Sequence, residues 1–77
     1  MTYFRMLGRV QQLGHGELLA FVTAIPDNGD QGEIRTLSQL LPSREAAREN
    51  ATYLLQRMRD VVVRIEGRII EVVIDGL

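Results

Sequence analysis

At 77 residues the chain has room for one domain, residues 1–77, and a domain so small buries only about 60% of its unfolded surface, so oligomerising often adds stability. Nine basic against ten acidic residues leave a net charge of −1, which excludes a general pull toward nucleic acid or anionic membrane. The absence of cysteine excludes disulfides, thiolate metal sites and cysteine nucleophiles, and a hydrophobic fraction of 45% argues against disorder.

The first expected element is a strand from Tyr3 to about Gln12, with Phe4, Met6 and Val10 on one side and Arg5 and Arg9 on the other. "LGHGEL" supplies a glycine-rich turn, and Leu18 to Ile25 form a second strand that Pro26 ends, because proline donates no ladder hydrogen bond. "PDNGDQGE" is a loop of residues that bond their own backbone or tolerate left-handed geometry. "IRTLSQLL" is a third strand, interrupted by Ser38 and Gln39 and closed by Pro42.

A helix follows. Ser43 is its N-cap, and Glu45 in the first turn suits the positive end of the dipole. At 3.6 residues per turn, Ala47, Ala51, Leu54, Leu55, Met58 and Val62 fall on one apolar stripe, opposite Glu45, Glu49, Thr52, Gln56 and Asp60. The β-branched runs on either side of Glu66-Gly67 predict a C-terminal hairpin with a type I′ turn, pairing Ile65 with Arg68, Val63 with Ile70 and Val61 with Val72. The expected fold class is therefore α+β: a three-stranded antiparallel meander, one helix packed on the sheet and a C-terminal β-hairpin, in the order β-β-β-α-β-β.

Coverage is short in this arrangement. Strand two is apolar on both faces, with Leu19, Phe21 and Ile25 on one and Leu18, Ala20, Val22 and Ala24 on the other. Strands apolar on both sides are usually covered on both sides, and one helix covers part of one face. The remaining face must fold over on itself, take the hairpin or meet another chain, and another chain is the expectation adopted here.

Catalytic patterns are missing. His15, the sole histidine, sits between glycines in a turn, where a general base would have no positioned partner. The loop from Asp27 to Glu33 has three acids in seven residues but lacks the ligand spacing of an EF-hand. The glycines at 8, 14 and 16 precede no helix, so they form no phosphate loop. Neither an enzymatic activity nor a cofactor or metal is expected. All nine basic residues are arginine, the better residue for bidentate phosphate contacts, yet on the helix they alternate with acids as a solvated surface does. Tyr53 stands out because the periodicity puts it with Ala46, Asn50 and Arg57, away from the apolar stripe. Tyrosine and arginine are enriched at binding hot spots, which makes Asn50, Tyr53 and Arg57 the candidate protein interface.

"FVTAIPDNG", a further strand and then "SREAARENATYLL" resemble the N-terminal domain of HicB-type antitoxins over about residues 18–55. There the helix opens on a Ser or Thr cap with glutamate two residues on, alanine four on, then asparagine-alanine; here these are Ser43, Glu45, Ala47, Asn50 and Ala51. The resemblance implies a β-β-β-α-β core, self-association and binding of a small protein toxin. In place of that family's compact proline-glycine-cysteine turn stands the longer "PDNGDQGE", and no ribbon-helix-helix or helix-turn-helix segment follows, which puts operator binding in doubt.

The expected function is non-enzymatic protein binding, beginning with a homo-oligomer and extending to a small protein partner. The competing class is a small nucleic-acid-binding module using surface arginines. No apolar run approaches the roughly 20 residues of a membrane span, and "MTYFRMLGRV" lacks the apolar core of a signal peptide, so a cytoplasmic location without membrane contact is expected.

Overall fold

A computed structural model describes residues 2–75. Four strands and one long helix follow in the order β1 (Thr2–Gln12), β2 (Leu18–Pro26), β3 (Arg35–Leu41), α1 (Arg44–Arg64) and β4 (Gly67–Asp75). The strands form one sheet in the order β3-β2-β1-β4. β1 and β2 are antiparallel, as are β2 and β3, so the expected meander is present. β4 runs parallel to β1, which makes the sheet mixed. Among the described residues no helix is long and apolar enough to cross a membrane.

Alternation along the strands builds the core. Phe4 and Met6 from β1, Leu18, Ala20, Val22 and Ala24 from β2, and Leu41 from β3 are buried on the same face. They meet Ala47, Leu54, Met58 and Val62 of α1, all 1% exposed or less, and these are members of the stripe read from the sequence. The Ser43 hydroxyl caps the helix by accepting from the Ala46 N–H at 3.2 Å, while Glu45 at the start and Arg64 at the end complement the dipole.

The C-terminal half corrects the expectation. Val61 to Arg64 belong to α1, and no hairpin forms; the pairings of Ile65, Val63 and Val61 across a turn are replaced by Thr2↔Gly67, Phe4↔Ile69, Met6↔Val72 and Gly8↔Ile74. β-Branched residues favour strands, yet Val62 lies one turn beyond Met58 on the buried stripe and is 0% exposed. That burial outweighs a helix-propensity penalty of at most about 0.7 kcal/mol. Glu66, read as a hairpin turn, instead ends the helix in the left-handed region (φ 59°), donating its N–H to the Val63 carbonyl at 3.0 Å. A bulge shifts the register between Phe4 and Arg5, so that Ile69, Val72 and Ile74 join the helix-covered face while Glu71 and Val73 join the other. Strict alternation from the sequence had put Ile69 together with Glu71 and Val73.

Two glycines on this framework have opposite roles. A Cβ on Gly67 would stand 2.6 Å from the Phe4 ring and 2.9 Å from Val62, so only glycine lets β4 start this close to the helix end and β1. A Cβ on Gly8 would meet its nearest neighbour, Ile74, at 3.7 Å, an ordinary contact. We expect Gly67→Ala to destabilise by about 1–3 kcal/mol through overpacking, with part recovered in the Phe4→Leu double variant. Gly8→Ala should stabilise by about 0.4–1 kcal/mol by restricting the unfolded chain. Urea denaturation of the four proteins checks both signs.

Candidate protein-interaction surface

Because successive strand residues point to opposite faces, the residues between the core positions form a second face that no described element covers. Apolar side chains cross it diagonally, from Leu40 at the β3 edge to Val73 at the β4 edge. Leu40 of β3 pairs with Leu19 of β2, Phe21 lies next along β2, and Leu7 of β1 pairs with Val73 of β4. Leu7, Leu19 and Phe21 are half-buried by their neighbours, whereas Leu40 (56%) and Val73 (46%) stand in solvent.

Polar residues interleave with the apolar ones, Thr23 standing opposite Leu7 and Arg9 opposite Phe21. Arg5 bonds Asp27 at 3.1 Å through Nε and Glu71 at 2.8 Å through Nη1, tying β1, the loop after β2 and β4 together. These side chains are about half exposed, so each pair adds at most about 1 kcal/mol and acts chiefly to hold register. The Thr23 and Thr36 hydroxyls lie 3.3 Å apart, and Arg9 and Asp75 occupy paired positions at the other end.

α1 presents a second feature. Tyr53 is 56% exposed, and the Arg57 guanidinium lies over its ring at 5.6 Å, a cation–π contact. Asn50 is half-buried and donates from Nδ2 to the Ala46 carbonyl at 2.7 Å, so its amide braces the helix rather than pointing freely outward. The three candidate residues thus share one flank, two available to a partner and one engaged within the helix.

On the other flank Ala51 and Leu55, with Gly8, Val10 and Ile74, line a shallow apolar groove beside β4. The loop from Asp27 to Glu33 satisfies itself: Asn28 Oδ1 accepts from the Asp30 N–H at 2.9 Å and Asp30 Oδ1 from the Gly32 N–H at 3.0 Å. His15 is an exposed turn residue with φ 60°.

No family model, curated protein or solved structure matches the chain. Sequence reasoning had Leu19, Phe21 and Ile25 on one side of β2 but missed that Leu7 and Val73 extend the same patch. Their adjacency depends on β4 lying parallel to β1 beyond a bulge, and no local signal encodes that. The run from Ile69 to Ile74 was its one visible trace.

Tyr53 makes no core contact, so Tyr53→Ala should leave the chemical-denaturation free energy within about 0.5 kcal/mol of the parent, as for other surface substitutions. A clear loss of stability would place the ring in the core.

Proposed function

We propose that the chain is a small non-enzymatic protein-binding module that self-associates and, in the manner of an antitoxin, takes up a small protein partner. The observation that carries this reading is the uncovered sheet face, on which Leu7, Leu19, Phe21, Leu40 and Val73 are exposed or half-buried among polar residues and the Arg5 ion pairs. Exposed apolar patches of this kind mark interaction sites on soluble domains. The element order β-β-β-α-β also coincides with the order that the HicB-type resemblance implies, which supports the reading at the level of fold. The Tyr53–Arg57 pair adds a hot-spot type of contact on the helix.

Light scattering after size exclusion tests the first half: a dimer or larger is expected at micromolar concentration, and a mass near 8.7 kDa throughout would overturn it. Tyr53→Ala is expected to weaken association, with a second copy or another protein, by about 1–3 kcal/mol.

A second reading draws on the helix arginines. At about 100° per residue, Arg48 and Arg59 fall on the β4-side flank and Glu45, Glu49 and Asp60 farther round, so the charges separate more than their order in the chain suggests. A nucleic-acid module would use that flank. The net charge of −1 argues against it. Duplex DNA and RNA are expected to bind weakly at physiological salt in fluorescence anisotropy. Submicromolar affinity falling steeply with salt would favour this second reading instead.

A further inference from the structure

The sheet has two edges of different character. β3 sets Arg35, Thr36, Ser38 and Gln39 among three leucines and ends at Leu41, before Pro42. β4 is longer and carries five Ile or Val residues in nine, with Arg68, Glu71 and Asp75 among them, and from Ile70 to Asp75 every residue is exposed. An edge strand offers unpaired N–H and C=O groups, and natural proteins blunt it with proline, charge, bulges or cover. Here the bulge lies at the start of the strand, between the partners of Phe4 and Arg5, and leaves Glu71 to Asp75 regular and open.

We infer that this edge pairs antiparallel with the same strand of a second copy, centred on Val72, joining two sheets into one of eight strands. The inference rests on the self-association proposed above and names its surface. Directly opposed residues in an antiparallel pair must point to the same face, so a symmetric pair centres on a residue. Centring on Glu71 sets that carboxylate against its own copy, and centring on Val73 sets Glu71 against Asp75; both are like-charge oppositions. Centring on Ile74 leaves only Val73, Ile74 and Asp75 to overlap within the described strand. Centring on Ile70 avoids a like-charge pair but puts the axis on the residue that the bulge displaces. Centring on Val72 opposes Val72 to itself, Glu71 to Val73 and Ile70 to Ile74, also without a like-charge pair.

Geometry then adds the helix. Antiparallel neighbours are related by a two-fold axis normal to the sheet, so both helices stay on one side. The apolar grooves beside β4, with Ala51, Leu55 and Ile74, are brought together across the axis. A standard interface removes about 800 Å² per partner, near one sixth of the 5075 Å² that this chain exposes. A strand edge alone falls short of that, and the flank of α1 supplies the rest.

The chain contains no cysteine, which makes a single introduced thiol a clean probe. Directly opposed strand residues have Cα atoms about 4.5–5.5 Å apart, within disulfide reach. Under mild oxidation Val72→Cys should give a covalent dimer within the time in which Leu40→Cys, on the far edge, stays monomeric. Val72→Lys should raise the dimer dissociation constant at least ten-fold in sedimentation equilibrium while the circular dichroism spectrum is unchanged. Should Val72→Lys fail to fold, the cysteine pair decides alone. Cross-linking at Leu40→Cys and not at Val72→Cys, or a dimer lost in Phe21→Lys but unchanged in Val72→Lys, overturns the edge and leaves self-association standing. A parent chain that stays monomeric at every concentration overturns both.

Discussion

One helix has two tasks in this chain, and the structure follows from the conflict between them. α1 must cover the sheet, and it must also carry the chain from β3 at one edge to β4 at the other, since a parallel strand cannot be reached by a tight turn. At about 1.5 Å per residue its 21 residues span roughly 30 Å. That is enough to cross the sheet once. The crossing buries Ala47, Leu54, Met58 and Val62 in the core, and it leaves the far part of β4, with Val72 and Ile74, only partly covered.

The junction at the end of that crossing is the tightest point described. Phe4, Val62 and Gly67 meet where β1, α1 and β4 come together, and the absence of a side chain on Gly67 lets the three approach. Glu66 in the left-handed region turns the chain out of the helix one residue earlier. β4 is thereby laid beside β1 rather than folded back on the preceding valines. Pairing with β1 then puts Val73 beside Leu7, and Glu71 within reach of Arg5, on the face away from the helix.

The crossing leaves one face of the sheet uncovered by any described element. A four-stranded sheet with one helix keeps one open face, and this one interleaves apolar residues with threonine, arginine and acids. The two flanks of α1 also differ. One carries Tyr53 and Arg57, which engage each other in a cation–π contact, and the other borders the groove beside β4. Association through the β4 edge would use the second flank and keep the first, with the open sheet face, free for a different protein.

Much of this was legible in the residues. Period-two alternation in β1 and β2, the proline and glycine breaks, and the Ser43 cap determined the meander, the start of the helix and its buried stripe, because each depends on interactions within a few residues. The mismatch between two apolar faces of β2 and a single helix was equally plain, and so was the position of Tyr53 off the buried stripe. The fate of Val61 to Arg64 was not, because β-branched residues favour strands locally while the core asks for one more helical turn. Nor was the pairing of β4, since Glu66-Gly67 is as good a hairpin turn as a helix exit until Phe4 is placed against it. Contacts more than sixty residues apart in sequence decided that choice, and with it which face Val73 joins and which edge remains open.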